Sequence, residues 1–207
     1  MAVEAADPTA DEVVAFLQSP SRLWSRTELM LRPSPIPQHA GVYGWYFNEL
    51  PWHEVPGIGT HVGDWSLLYV GIAPGRPGSR SNLRKRLRSH LSGNARGSTL
   101  RLSLACLLMH RLGLSPTQAS GKIGFGSSEV LLTKWIDEHA RVAWIEHSQP
   151  WVAEAAAVQV LGVPLNRDHN HGHPFHDTLG NVRRSVRDPH GSARAGGRVH
   201  RPPTPSE

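Results

Sequence analysis

The chain has a single cysteine, Cys106, among its 207 residues. This excludes an intramolecular disulfide, argues against a zinc site built from thiolates, and suits a reducing compartment. Lysine is also scarce, since 19 of the 22 basic residues are arginine. No stretch approaches the roughly 20 apolar residues of a membrane span. The amino terminus, MAVEAADPTADEVV, has no apolar run behind basic residues and does not read as a secretory signal. The expectation is a soluble cytoplasmic protein with no membrane partner. The most informative absence is local: residues 65–128 contain ten Lys or Arg and no Asp or Glu. Such an interval suits a polyanion, because contacts to phosphates displace condensed counterions. The plainer alternative is a solvated basic surface in an arginine-rich chain. Within the interval, GKIGFGSS lacks the GKS or GKT ending of a phosphate-binding loop, so no nucleotide cofactor is expected.

What is present centres on residues 67–91, LLYVGIAPGRPGSRSNLRKRLRSHL, where a strand-like run, a glycine-rich loop and a basic helix follow one another. Ser81 reads as the helix N-cap, and Leu83, Leu87 and Leu91 recur at i, i+4 and i+8, a stripe that faces a core. At about 100° per residue, Arg84, Lys85 and Arg88 fall on the outward side, where they can contact nucleic acid. Arg86 and His90 fall along one flank of the leucine stripe, partly enclosed. An arginine stem on apolar surface beside a structural histidine would explain this placement. So would half of an active site.

Tyr69-Val70-Gly71 ends one apolar run, and upstream Gly41-Val42-Tyr43 opens another, GVYGWYF. Two tyrosines can therefore sit on neighbouring strands beside the helix. The pair of strings, followed by the helix, resembles the GIY-YIG nuclease family. Gly41-Val42-Tyr43 stands for the first motif and Tyr69-Val70-Gly71 for the second. KRLRSHL carries the family arginine onto Arg86 and its histidine neighbour onto His90. The family's metal-binding glutamate falls on Glu154 in WVAEAAAVQVLG, and its later asparagine on Asn166 in PLN. Each string is weak alone, and the ordered set is strong. The resemblance covers about residues 40–167. It has one departure: 25 residues separate Tyr43 from Tyr69, so the hairpin carries an insertion over 48–66 where the family usually has a short turn.

Residues 1–6 read as disordered. Asp7-Pro8 reads as N-cap and first position of a helix through about Gln18, with Val13, Val14 and Leu17 inward. A second short helix over 26–31 precedes the extended PSPIPQ. Residues 1–40 thus form a helical appendage to a nuclease-like domain at 41–187. The insertion, with three Gly and two Pro, is expected to be mostly loop. Its Trp52, His53, His61 and Trp65 either stack on bases or form a satellite core under the loop, and the second reading is preferred. Residues 99–114 form a buried helix in which Cys106 is inert. A helix over 130–139 and a strand over 141–146 follow.

Beyond Pro150, Trp151, Val158 and Leu161 lie at i−3, i+4 and i+7 from Glu154, which places its carboxylate on the apolar face of a helix. An acid there requires a partner or a task. The structural alternative is a buried pair with Arg86. His169, His171, His173 and His176 could bind a transition metal, but their spacing fits no structural zinc pattern and reads as an exposed polar loop. A short helix over 178–187 is followed by a disordered basic tail, 188–207.

The expected fold is a small α/β layer of the α+β type. Its mainly antiparallel sheet has three strands, near 42–47, 67–72 and 141–146, flanked by the Arg86 and Glu154 helices. The family resemblance implies an endonuclease that hydrolyses phosphodiester bonds in DNA with Mg²⁺ or Mn²⁺. In that reading Glu154 is the metal ligand and Arg86 contacts the nonbridging phosphate oxygens. Tyr43 and Tyr69 hydrogen-bond the attacking water, with one of them as general base, His90 nearby and Asn166 completing the site. The rivals are a noncatalytic nucleic-acid-binding module that retains the fold, and a protein-interaction role for the basic tail.

Overall fold

The structure is a computed structural model that describes residues 6–188. The segments read as disordered, 1–6 and 188–207, lie outside the described residues except for Ala6 and Asp188. In chain order the elements are α1 (Ala10–Gln18), β1 (Trp24–Ser25), α2 (Arg26–Leu29), β2 (Gly41–Phe47), β3 (His61–Val62), β4 (Trp65–Ala73), α3 (Leu83–Ser92), α4 (Thr99–Leu112), β5 (Thr117–Ala119), β6 (Lys122–Gly124), α5 (Glu129–His139), β7 (Ala140–Glu146), α6 (Trp151–Leu161) and α7 (His176–Arg187). No helix among the described residues is long and apolar enough to cross a membrane.

The small three-stranded sheet expected from the sequence is not what forms. The main sheet has five strands in the order β1-β7-β2-β4-β3, and β5 and β6 make a separate two-stranded sheet. Seven α-helices accompany them among the described residues. The missed strands of the main sheet, β1 and β3, are two residues long, too short to show alternation. β6 lies within the glycine-rich GKIGFGSS and β5 just before it, and three-residue strands carry no periodic signal. All pairings are antiparallel.

β2 is buried at every position. One face, with Tyr43, Trp45 and Phe47, joins the core built on α3, α4 and α5. The other, with Val42 and Tyr46, packs against Val13 and Leu17 of α1 and Ala153, Ala157 and Val158 of α6. The Tyr46 hydroxyl donates to the Leu17 carbonyl at 2.7 Å, tying α1 to the sheet.

Two helix starts differ from expectation because better caps stand nearby. Thr9 and Glu12 form a reciprocal capping box, so α1 begins at Ala10 rather than at Asp7-Pro8. Asp7 instead accepts from the Ser148 backbone N–H at 2.9 Å. For α3 the cap is Asn82, not Ser81: its side chain accepts from the Lys85 N–H at 2.9 Å. Cys106 is 2 % exposed in α4, and burial pushes its thiol up to about 11, which leaves it unreactive at neutral pH. In the insertion, Trp52 and Val55 pack on the core, and Trp65 packs on the far face beneath Arg141. No separate satellite core forms: these side chains extend the two main cores, and His53 and His61 are exposed.

Candidate active site

The two motif glycines are required by what crosses them. A Cβ on Gly71 would lie 2.4 Å from the Tyr43 hydroxyl, so the Tyr43 ring lies across the β4 backbone at that point. A Cβ on Gly41 would meet the Ile145 carbonyl at 2.3 Å and Leu83 of α3 at 2.8 Å. Glycine there lets sheet and helix close on each other. The β2–β4 register shifts between Trp45 and Tyr46. As a result Leu68 and Tyr69 join the same core face, as expected where a bulge re-aims a side chain. The Tyr43 and Tyr69 ring centroids are then 6.5 Å apart.

α3 presses Leu83, Leu87 and Leu91 wholly into the core, which sets Arg86 and His90 against Tyr43. The Arg86 Nε–H donates to the Tyr43 hydroxyl at 3.3 Å, and Arg86 Nη1 donates to the Gly97 carbonyl at 3.4 Å. His90 Nε2 is 2.8 Å from the same hydroxyl, and Nδ1 is 2.6 Å from Ser98 Oγ, the cap of α4. His90 has no exposed surface. Burial first, then the charges of Arg86 and Arg101, push its pKa well below the ordinary imidazole range, so it is neutral. Both phenols are held protonated: burial raises the pKa of Tyr43, with the neighbouring Tyr69 adding to it, and burial likewise raises that of Tyr69.

Behind this group lies a residue that the sequence reading counts in the basic interval 65–128 and gives no role. Arg101 is completely buried and pairs with Glu129 at 3.2 Å. It also donates to the His90 carbonyl at 3.2 Å and to Thr133 at 3.0 Å, while Glu129 accepts from the Ala95 N–H at 3.0 Å. This cluster locks the end of α3 to the start of α4. It removes Arg101 from any surface for nucleic acid. Of the helix cations expected outward, Lys85 and Arg88 are exposed, whereas Arg84 is partly enclosed and donates to the Ile36 carbonyl at 2.6 Å.

A cavity of about 720 Å³ opens over Gly71, and Tyr43, Tyr69, Arg86 and Glu154 all line it. His90 does not, and reaches it only through Tyr43. Glu154 comes from α6, on the other side of the sheet. Burial raises its carboxyl pKa, only partly offset by His169 and Arg86. No ion pair joins it to Arg86 or to any other described residue, so the buried-pair explanation of its position fails. Asn166 lines the cavity but commits its amide to one place: it accepts from the Val70 N–H at 2.9 Å and donates to the Val70 carbonyl at 2.7 Å. It therefore holds the strand that carries Tyr69.

The sequence reading missed Arg167, Asp168 and Arg183, which line the same cavity, and it placed His171 and His176 on an exposed polar loop, whereas both line the cavity and His176 is buried. A signal for one of them existed. Leu179, Arg183 and Val186 fall at i, i+4 and i+7 on the buried face of α7, the same pattern that singled out Glu154 on α6. Among the described residues, no group of three or more His, Cys, Asp or Glu is placed to hold a metal ion, the histidine-rich loop included.

The family model of the GIY-YIG catalytic domain matches residues 41–185, well over half of the chain. The protein belongs to the GIY-YIG catalytic domain family. Membership brings a nuclease-type function in general, and the family generally uses a divalent metal ion. No curated protein and no solved structure matches the chain.

Proposed function

We propose that this GIY-YIG protein is an endonuclease that hydrolyses phosphodiester bonds in DNA with the help of Mg²⁺ or Mn²⁺. The observation that supports this reading is the meeting of Tyr43, Tyr69, Arg86 and Glu154 on one cavity, from four separate elements and both sides of the sheet. Hydrolysis places extra negative charge on the phosphate oxygens in the transition state, so a site for it must offer fixed cations and donors. Arg86 is held by Tyr43 and Gly97 on one side and faces the cavity on the other, which suits its rigid fork to two nonbridging oxygens.

The donor set fits a hard, hydrated cation. Glu154 is a half-buried carboxylate without a protein partner among the described residues, and Asp168 stands on the same wall. Mg²⁺ needs only one or two carboxylates and keeps several waters, whereas a zinc site would need further nitrogen or sulfur ligands. When bound, the cation supplies Lewis-acid stabilisation of the charge developing on the phosphate.

The tyrosines position the water. Both carry their protons at rest, and the Tyr43 hydroxyl, fixed by Arg86 and His90, offers its remaining hydrogen-bonding capacity to the cavity. Protonating His90 would put a third charge beside Arg86 and Arg101 in a dry site, so His90 acts by orienting Tyr43 and not as the proton acceptor. Asn166 acts through Val70 in the same way. Lys85 and Arg88 are the exposed helix cations that contact flanking backbone.

The test is cleavage of supercoiled plasmid over a Mg²⁺ titration, with wild type and Glu154→Gln compared. Wild type nicks or linearises the plasmid only with the metal. The variant loses about a hundredfold or more in rate, the order found when one strong electrostatic stabiliser is removed, while DNA binding persists. Equal rates for the two proteins would remove Glu154 from the metal site.

A further inference from the structure

We propose that Arg167, His176 and Arg183 form a second phosphate subsite in the same cavity, which binds the phosphodiester next to the one that is cut, on the same strand. The proposal rests on the nuclease reading of the site and adds how a strand is held there.

Three observations point to an anion. Arg183 sits on the buried face of α7, between Leu179 and Val186, and lines the cavity with no hydrogen bond or ion pair to any described residue. The Arg167 guanidinium lies across Gly180 of the same helix, where a Cβ would come within 3.3 Å of Nη2, and its Nε is enclosed without a partner. His176 is 8 % exposed, lines the cavity, and has its Nε2 buried without a partner, while Nδ1 is 3.2 Å from the Asp177 carboxylate. Burial, joined by the nearby Arg167, lowers the pKa of Arg183, as expected of two enclosed guanidinium groups that repel each other. The exposed Asp168 carboxylate stands near but forms no ion pair with either.

Two arginines with open donors on one wall of the recess leave a deficit of one anion, and His176 Nε2 beside them donates only when the ring carries both protons, because Nδ1–H faces the Asp177 carboxylate. Phosphate fits their forked geometry. The recess has the size of a ligand pocket, about 300–1,000 Å³, and not that of a groove that holds a duplex. A second phosphate inside it therefore belongs to the strand whose first phosphate meets Arg86. The alternative is that both arginines extend along apolar surface and are satisfied by water.

The two are separated by binding in EDTA, where no cleavage occurs. The full-length protein, Arg183→Gln, Arg183→Lys and Arg184→Gln are titrated against a fluorescent single-stranded oligonucleotide, and against its duplex, at several KCl concentrations. Arg184 is exposed, bonded to Asn181, and absent from the cavity lining. For Arg183→Gln we expect about tenfold weaker binding, the size of one lost charge-assisted contact. The slope of log K against log [salt] should shrink by about 0.7, one phosphate on a single strand. Arg183→Lys should keep the slope but recover only part of the affinity, and Arg184→Gln should match wild type. An Arg183→Gln variant of unchanged melting temperature with wild-type slope and affinity overturns the subsite. A change seen on duplex but not on the single strand overturns the same-strand assignment. If the slope shrinks as expected while wild type fails to cleave plasmid with Mg²⁺, the subsite stands and the nuclease reading falls.

Discussion

The two walls of the cavity are built on opposite terms. On the motif wall, Tyr43, Arg86 and His90 each have partners, and the Arg101–Glu129 pair behind them bonds the His90 carbonyl and the Ala95 N–H; Trp45 Nε1, packed against His90, is the exception without one. On the facing wall, Glu154 and Arg183 have no bonded partner among the described residues, and enclosed nitrogens of Arg167 and His176 have none. A satisfied polar network stiffens the protein, because moving any member strands the others. An unsatisfied one does the reverse: it costs stability until a ligand arrives. The motif wall is a preformed mould, and the facing wall is where binding energy is collected.

The largest expected effect breaks the mould. Arg101→Met leaves the Glu129 carboxylate buried beside an apolar side chain and should lower unfolding stability by about 3–5 kcal/mol in urea titrations. Arg101→Met with Glu129→Gln, which keeps an acceptor for the Ala95 N–H but removes the stranded charge, should regain part of that loss. A single variant as stable as wild type would show that the pair does not hold the α3–α4 junction.

A smaller effect tests whether His90 is neutral. Its folded pKa lies well below its ordinary value of about 6.5. On acidification the unfolded chain therefore takes up the proton first. The stability contributed by this group is present above about pH 6.5 and is lost as pH falls below it, at up to about 1.4 kcal/mol per pH unit. His90→Gln removes this dependence, so the stability gap between wild type and variant should narrow from pH 6.5 to 5.5. A gap that stays constant would mean that the imidazole is charged or that its proton is shared elsewhere.

The smallest effect sharpens the contrast from the other wall. The carboxyl pKa of Glu154 is raised by burial, so its stabilising contribution is present below the ordinary carboxylate range and is lost as pH rises through the folded value. At pH 7 without metal, Glu154→Gln should melt at or above the wild-type temperature, by at most about 2 °C given how far solvent screens the site. That gain should vanish near pH 4. A clear drop in melting temperature would place Glu154 among the stabilising residues instead.

The same division explains what could be read from sequence. The motif wall is local: β4, its loop and α3 are contiguous, and the leucine spacing of α3 fixes which way Arg86 points. Glu154 was legible because a charge on an apolar helical stripe is conspicuous, and the family pattern selects it independently. Arg101 was not, because its partner lies 28 residues away in α5 and nothing in TLRLSLACLL distinguishes a buried arginine from an exposed one. Arg167 leaves the regular chain in an irregular loop, and Arg183 faces the cavity only because α7 packs beside α4. The margins of the sheet leave no mark in the sequence, because its two-residue strands are set by tertiary pairing and not by alternation.

The carboxamide of Asn166 has an effect on the molecule's dealings with its neighbours. Along the second half of β4 the outer edge has no further strand; the Leu165 N–H bonds the Leu68 carbonyl at 2.9 Å, and the Asn166 side chain then serves both backbone groups of Val70. A naked edge invites another chain to add itself, the usual beginning of aggregation. A complete additional strand would prevent this, but it would also run on past Val70 and fill the space over Gly71. One side chain closes the edge and stops, so the protein stays unavailable to copies of itself at the point where it must stay open to a nucleic acid.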